Sequence, residues 1–274
     1  MTVKQTLDTL ALLTPHDLLA QRKIRVGNQA ADGGYILLDR FRPQQLVFSF
    51  GVGGDISFEL AMAERGHRVL MFDHTVPAPT LTDPNCSYFA EGLGGETEPG
   101  GVMFSLEDHL RRRSGDSSDM ILKMDVEGWE WMALDNTSLD SLRRFEQICF
   151  EAHGFDMMTD PGHQARLHRV LGKLNSTHVL FHVHANNVAP LLTIGGLPVA
   201  QVLELSYVRA DIAERVPSAT FYPTPLDVPN VASNPEIMLW HYPFLPTAWA
   251  TASRAFEAER TRTAARMDAL DVAG

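Results

Sequence analysis

Short apolar segments alternate with stretches of helical periodicity along most of this chain. Seven of the segments have the length and composition of buried strands: residues 46–50, 69–72, 87–90, 120–124, 147–150, 179–183 and 201–205. Four stretches between them place apolar residues at helical spacing: residues 57–65, 106–113, 129–134 and 162–174. Strands that alternate with helices predict an α/β fold, in which a parallel sheet carries helices on both faces.

The two ends of the chain follow different patterns. Residues 5–22 predict a short helical lead-in, interrupted at Thr14-Pro15. After residue 210 the prolines predict an extended wrap or lid, and residues 247–270 predict a polar, alanine-rich helix. We expect residues 1–210 to form the main fold and residues 211–274 to belong to the same domain. The last helix could pack on that domain or against a second copy, so a homo-oligomer is possible.

Composition and charge limit the classes of partner and the compartment that we expect. The chain has a net charge of −11, and tight nucleic-acid binding normally requires a basic face, so we expect a small molecule or a sugar instead. No apolar run is long enough to predict a membrane span, and residues 1–19 do not resemble a signal peptide. The two cysteines, Cys86 and Cys149, lie in apolar surroundings and fit a reducing compartment, which predicts a cytoplasmic protein.

A glycine-rich turn follows the strand at residues 46–50 and leads into a helix. Its sequence is Gly51-Val52-Gly53-Gly54-Asp55, and Asp73 ends the next strand 22 positions after Gly51. Ligands of open α/β sheets bind beyond the carboxyl ends of the strands, where this turn and Asp73 both fall. An acidic residue at this spacing can bind the ribose of a dinucleotide or of S-adenosylmethionine, so both cofactor classes remain open.

The segment Leu122-Lys123-Met124-Asp125-Val126-Glu127-Gly128-Trp129-Glu130 resembles the Lys-Ile-Asp-Val-Glu-Gly-x-Glu signature of the FkbM-type methyltransferases. The resemblance extends over residues 22–210 and includes residues 25–27, 32–35, 49–55, 105–107, 182–187 and 202–207. It implies a Rossmann-like class I methyltransferase fold. It also implies transfer of a methyl group from S-adenosylmethionine to a hydroxyl, less often an amine, in natural-product or glycan biosynthesis. Two positions depart from the family pattern: Ser49 replaces an acidic residue, and Asp55 replaces a glycine.

The resemblance also implies a role for each residue of a cofactor site. Gly51, Val52 and Gly53 would line the methionine end, and Asp73 would bind the ribose. Gly92 and Leu93 would lie near the adenine, and Asp125 would stand below the reactive sulfur. Tyr35 would either close over the cofactor or serve as a core tyrosine.

The candidate acceptor site contains histidines at two further strand ends. His153 shares a strand face with Glu151, and His184 shares one with His182. We take Asp125, His153 and His184 as candidate catalytic residues, one histidine serving as a general base. A divalent metal bound by Asp125, His153 and His182 is an alternative, and purely structural histidines are another.

Two other functions compete with methyl transfer. A dinucleotide-dependent oxidoreductase would use the same glycine turn and Asp73, although the turn lacks the third glycine of that motif. A non-catalytic binding protein that retains the fold is the third possibility.

Overall fold

The computed structural model describes residues 2–248, and the secondary structure below refers to that range. The helices are α1 (Val3–Leu10), α2 (Ser57–Glu64), α3 (Leu106–Arg113), α4 (Glu130–Asn136), α5 (Leu139–Leu142) and α6 (Pro161–Thr177). The strands are β1 (His16–Leu18), β2 (Lys23–Gly27), β3 (Gly34–Leu38), β4 (Leu46–Phe50), β5 (Arg68–Phe72), β6 (Cys86–Phe89), β7 (Gly92–Gly94), β8 (Met103–Ser105), β9 (Met120–Met124), β10 (Phe145–Ala152), β11 (His178–Ala185), β12 (Leu192–Ile194), β13 (Leu197–Val199), β14 (Leu203–Arg209) and β15 (Arg215–Pro217).

Seven strands form the central sheet, in the order β11-β14-β10-β9-β4-β5-β6. Strands β6, β5, β4, β9 and β10 pair in parallel, whereas β14 is antiparallel to both β10 and β11. The Rossmann-like α/β fold expected from the sequence is therefore confirmed. The simpler expectation of an all-parallel sheet is wrong at one position, because β14 enters between β10 and β11 as the return strand of a hairpin.

Side chains alternate along the strands between two hydrophobic cores, one on each face of the sheet. Phe48 and Phe50 of β4 face one side, where the Phe50 ring stacks on Phe72 with ring centroids 4.7 Å apart. Val47 faces the other side and packs with Phe58 and Met62 of α2. Since successive side chains of a strand point to opposite faces, each buried strand must be apolar on both sides, which explains the continuous apolar runs in the sequence.

A hairpin formed by β2 and β3 covers the α2 side of the sheet. The two strands pair in antiparallel register from Lys23 with Leu38 to Gly27 with Gly34. The sequence pattern did not predict this hairpin. The helical lead-in is also shorter than predicted, because α1 and a 3₁₀ turn at Ala11–Leu13 end before Pro15 and β1 begins at His16. Pro15 cannot continue a helix, and it biases Thr14 towards extended backbone.

Residues 218–244, which we call the C-terminal strap, run along β11. Tyr222 is fully buried and donates a hydrogen bond to the Phe181 carbonyl over 3.2 Å. His182 lies 2.7 Å from the Asp227 carboxylate, and both side chains are 1% exposed. Burial would raise the pKa of Asp227, but His182 and the Thr224 amide outweigh it and lower that pKa to about 2. The strap is therefore held to the sheet by buried polar contacts as well as by apolar packing.

No helix among residues 2–248 is both long and apolar enough to cross a membrane. The predicted helix at residues 247–270 lies almost entirely outside the described residues.

We expect Asp227→Ala to destabilise the protein by about 1–3 kcal/mol at neutral pH, because it removes the hydrogen-bond partner of the buried His182 ring, whose own pKa is lowered by burial. Urea denaturation measures the loss, and Glu214→Ala, at an exposed carboxylate near the strap, is the matched control. The folded pKa of Asp227 lies below its ordinary value, so its stabilisation is present above about pH 4 and is lost as the pH falls towards 2. The difference between the wild type and Asp227→Ala should shrink over that interval. A constant difference between pH 5 and pH 2 would contradict this account.

Candidate active site

A cavity of about 600 Å³ lies beyond the carboxyl ends of β4, β5 and β9, under the β2–β3 hairpin. It lies where ligands of open α/β sheets bind, and its volume is within the usual range for small-molecule sites. All eight cofactor-site residues named from the sequence line it: Tyr35, Gly51, Val52, Gly53, Asp73, Gly92, Leu93 and Asp125. These residues come from five separate segments of the chain, so the fold brings them together.

The glycine turn after β4 is shaped by its contact with the end of β9. Gly51 has a φ of +71°, and a Cβ atom at this position would lie 1.5 Å from the Asp125 carbonyl oxygen. The Gly51 amide donates to the Phe72 carbonyl over 3.0 Å, and the Lys123 ammonium donates to the Gly51 carbonyl over 2.5 Å. Only glycine can pass this close to Asp125 with that backbone conformation.

Asp73 holds the same turn from the end of β5. Its Oδ2 accepts hydrogen bonds from the Val52 and Gly53 amides, each 3.0 Å long. Its Oδ1 accepts from the amide and the hydroxyl of Thr75, over 2.8 and 2.6 Å. Burial would raise the pKa of Asp73, but these hydrogen bonds outweigh it and lower the pKa. The resemblance implies that Asp73 binds a ribose hydroxyl. That hydroxyl would share a carboxylate oxygen of Asp73 either with Thr75 or with the Val52 and Gly53 amides.

Tyr35 closes the cavity from the hairpin side. It is 4% exposed, packs edge-on against Phe58 with ring centroids 5.5 Å apart, and has the Lys123 ammonium 5.4 Å from its ring centroid. The turn of the hairpin is tied to the glycine turn by Asn28, which donates to the Asp55 carboxylate over 2.9 Å. The Tyr35 ring belongs to the core and also lines the cavity, and its closure over a cofactor stays a prediction.

Asp55 occupies the amino-terminal end of α2. Its Oδ1 accepts a hydrogen bond from the Ser57 amide over 2.8 Å. Burial would raise the pKa of Asp55, but the hydrogen bonds from Asn28 and Ser57 lower it overall, so the group is anionic. A negative charge at this helix end repels the pyrophosphate that a dinucleotide would place there.

The cavity wall is strongly acidic. Its lining includes six carboxylates and, within residues 2–248, Lys123 as the one lysine or arginine. The carboxylates are Asp32, Asp55, Glu59, Asp73, Asp125 and Glu127. Burial raises the pKa of Asp125 to about 6, although the positive charge of Lys123 acts in the opposite direction. The Oδ1 atom of Asp125 is buried without a hydrogen-bond partner. Such a wall favours a cationic or neutral ligand over an anionic one.

His153 stands beside Asp125 in a cluster of carboxylates from β10 and the start of α4. Its Nδ1 lies 2.6 Å from Glu130, and its Nε2 lies 3.3 Å from Glu151 and 3.5 Å from Glu127. Burial would lower the pKa of His153, but the hydrogen bonds to Glu130 and Glu151 raise it to about 11. The ring therefore carries a positive charge at neutral pH, and it does not act as the free base predicted from the sequence.

A second acidic group extends from the His153 cluster along the same edge of the sheet. Carboxylate oxygens of Asp32, Glu151 and Glu204 lie within 4.8 Å of one another. Asn186 donates to Glu151 over 3.0 Å, and Asn230 of the strap donates to Asp32 and Glu204 over 2.9 and 2.6 Å. Burial raises the pKa of Glu151 to about 7. This edge presents many hydrogen-bond acceptors to a ligand that enters past Asp32.

The other two predicted histidines do not join the His153 cluster. His184 is fully buried, with Nδ1 3.2 Å from Glu204 and Nε2 2.5 Å from Glu236. Burial would lower its pKa, but these carboxylates raise it to about 10, so the predicted role of His184 as a base is wrong. His182 pairs with Asp227 and lies on β11, three strands from Asp125 at the end of β9, or roughly 14 Å. The predicted metal set that includes His182 is therefore also wrong.

A different set of three residues has the spacing of metal ligands, and an ion bound there would have to displace the proton from Nε2 of His153. Ligand atoms of Asp125, Glu127 and His153 lie within 4.8 Å of one another. Glu130 holds the Nδ1 side of His153, which is the usual outer partner of a metal-bound histidine.

Glu151 could be placed beside His153 from the sequence, but the roles of two other buried carboxylates could not. Glu130 belongs to the signature segment but is buried at the start of α4, where it contacts His153. Glu59 is also buried and lines the cavity, although it reads as an ordinary polar position of α2. A buried carboxylate in a helix is uncommon without a partner, but its burial cannot be read from one sequence.

Comparison with known proteins adds a fold-level likeness only. No family model and no curated protein matches the sequence. Among solved structures, precorrin-6y C5,15-methyltransferase of Geobacter metallireducens is 14% identical, with a TM-score of 0.36 over 62% of this chain and 83% of that one. A precorrin 8w decarboxylase of Methanobacterium thermoautotrophicum is 13% identical, with a TM-score of 0.34 over 61% and 82%. A SAM-dependent methyltransferase of Agrobacterium tumefaciens is 14% identical, with a TM-score of 0.33 over 62% and 57%. Similarities this weak say nothing about the acceptor.

We expect Gly51→Ala to destabilise the protein by more than about 2 kcal/mol, because the new Cβ would overlap the Asp125 carbonyl and φ is positive. Gly54→Ala is the matched control, since a Cβ at Gly54 meets nothing within 4 Å. Urea denaturation of both variants measures the difference. Equal stability of the two variants would show that the turn does not pack against β9 as described.

Proposed function

We propose that this protein is an S-adenosylmethionine-dependent methyltransferase that acts on a hydroxyl, in preference to an amine, of a small molecule or sugar. One observation carries the proposal: the eight residues that the methyltransferase resemblance assigns to the cofactor line a single cavity at the expected edge of the sheet. The FkbM-type subfamily is part of the proposal and rests on the signature at residues 122–130.

Each polar member of that signature has a distinct place around the cavity. Lys123 binds the Gly51 carbonyl, Asp125 faces the cavity, and Glu130 contacts His153. Gly128 has a φ of +99°, in the turn that leads into α4. The spacing of the signature therefore supports the cofactor turn and the His153 cluster at the same time.

The residues present fit the proposed cofactor. When bound, S-adenosylmethionine supplies a methyl group on a positively charged sulfur. The acidic lining favours that charge, and Asp125 offers a buried carboxylate oxygen that lacks a hydrogen-bond partner. The Gly51, Val52 and Gly53 backbone would lie along the methionine end, and Gly92 and Leu93 would border the adenine.

The acceptor would enter beside Asp32, Glu127 and Trp129, which line the cavity next to the His153 cluster. An acceptor hydroxyl held there would release its proton to a carboxylate as its oxygen takes the methyl group. Glu151 and Asp125 are the candidates to receive the proton, since burial raises the pKa of each. His153 would position Glu151 and balance its charge. The many carboxylate oxygens, which accept hydrogen bonds, favour a substrate with several hydroxyl groups or an amino group. They disfavour a phosphorylated substrate or a nucleic acid.

A divalent ion at Asp125, Glu127 and His153 is a second candidate for activating the acceptor hydroxyl. The spacing of these three residues and the contact of Glu130 with Nδ1 favour it. Calorimetric titration with Mg²⁺ or Mn²⁺, compared between the wild type and Glu127→Gln, tests the ion independently of turnover. Heat of binding that disappears in Glu127→Gln would support the ion. Its absence from the wild type would leave the carboxylates as the proton acceptors.

We expect the wild type to bind S-adenosylmethionine with micromolar affinity and Asp73→Ala to bind it at least about tenfold more weakly. The reason is that Asp73 fixes the Val52 and Gly53 amides that shape the turn. Isothermal titration calorimetry measures both affinities, and Asp116→Ala, at an exposed carboxylate, is the control. The same titration with NAD⁺ and NADP⁺ tests the oxidoreductase, which the Asp55 charge disfavours. Tight binding of a dinucleotide with none of S-adenosylmethionine would reverse the proposal.

We expect Glu151→Gln to lower kcat by roughly 10²–10⁴-fold while leaving the affinity for S-adenosylhomocysteine unchanged, because the amide cannot accept a proton. Turnover is measured as S-adenosylhomocysteine formed in a screen of sugars, polyols and amines. The control is Glu96→Gln, at an exposed carboxylate. If Glu151→Gln turns over normally with an acceptor that the wild type methylates, Glu151 has no part in proton removal.

A further inference from the structure

Glu59, in the first turn of α2, is the most unusual charged residue of the cavity. It is 1% exposed and lines the cavity, yet it lies on a helix whose other buried residues are apolar: Phe58, Met62 and Ala63. Its Oε1 accepts a short hydrogen bond from the Ser49 hydroxyl. Its Oε2 is buried and has no hydrogen-bond partner.

No cation in the described chain satisfies Glu59. No lysine, arginine or histidine nitrogen within residues 2–248 forms an ion pair with it at 4.0 Å or less. The charge of Lys123 acts on Glu59 without an ion pair at 4.0 Å or less, and one of the three N–H groups of Lys123 donates to the Gly51 carbonyl over 2.5 Å. Burial raises the pKa of Glu59, and the charge of Lys123 and the Ser49 hydrogen bond only partly oppose it.

A buried carboxylate oxygen without a donor costs free energy that the fold alone does not recover. At the wall of a binding cavity, a ligand can supply the missing donor, and a cationic group supplies both the hydrogen bond and the charge. Glu59 also reaches position 49 from α2, so that a carboxylate stands beside the strand end where the sequence itself has Ser49.

We propose that Glu59 binds the α-ammonium group of the methionine end of S-adenosylmethionine. This inference rests on the proposed function and adds a binding residue to it. Lys123, buried at the same end of the cavity, provides the opposite charge for the ligand's carboxylate. A carboxylate and an ammonium side by side suit a zwitterionic amino-acid group and offer nothing comparable to a pyrophosphate.

The test compares two ligands that differ only in the ammonium group: S-adenosylhomocysteine and its deaminated analogue, which keeps the carboxylate. Glu59→Gln preserves the size of the side chain and can still contact Ser49. We expect it to weaken S-adenosylhomocysteine by roughly 10- to 100-fold and to leave the analogue unchanged. Glu64→Gln, an exposed position of the same helix, is the matched control and should change neither affinity.

Glu59→Asp provides a second variant, which keeps the charge and shortens its reach, and we expect an intermediate loss for S-adenosylhomocysteine alone. Thermal denaturation confirms that each variant is folded. Equal weakening of both ligands, or no weakening of either, would overturn the role of Glu59 while leaving the cofactor assignment in place. Failure of the wild type to bind S-adenosylhomocysteine would overturn the proposed function, and the role of Glu59 with it.

Discussion

The site depends on how the turn after β4 is held between two neighbouring strand ends. Asp73 accepts hydrogen bonds from the Val52 and Gly53 amides, and the end of β9 approaches Gly51 so closely that no side chain fits between them. Together these contacts fix a backbone that would otherwise be a flexible glycine segment. Three charged cavity residues are placed by the same contacts, since Lys123 and Asp125 come from the same end of β9 and Glu59 comes from the helix that the turn begins.

A second constraint is the surplus of carboxylates along this edge of the sheet. Buried acidic groups are stable only when they are paired or protonated, and the protein uses both solutions. His153 and His184 neutralise neighbouring carboxylates, whereas His182, whose pKa is lowered by burial, contacts Asp227 through a buried hydrogen bond. Histidines that look catalytic in the sequence are therefore largely counter-ions, and the groups left with raised pKa values, Asp125 and Glu151, are the better candidates for proton transfer.

The parts of this fold that were predictable from the sequence are those fixed by local pattern. The strands around Phe48, Leu70 and Leu122 are largely apolar on both faces, and their ends carry glycine or an acid, so the residues that line the cavity could be named before the structure. The roles of the histidines could not be predicted from the sequence, because their partners are remote along the chain. Asp227 lies 45 positions after His182, and Glu236 lies 52 positions after His184, in a proline-rich segment without periodicity. The β2–β3 hairpin was missed for a different reason: residues 28–33 separate its strands, so a two-residue turn does not signal the pairing.

The electrostatics of the cavity separate the candidate cofactors more sharply than the glycine turn does. A glycine turn leading into a helix suits a pyrophosphate as well as an amino-acid group, so its sequence leaves both possible. The side chains around the turn distinguish the two: Asp55 places a negative charge just before the helix, and Glu59 adds a second carboxylate to the cavity wall. A dinucleotide would place two phosphates against these carboxylates, whereas a ligand with an ammonium and a positively charged sulfur would relieve them. The charge at the helix end, more than the fold itself, is therefore the physical reason to propose a methyltransferase instead of an oxidoreductase.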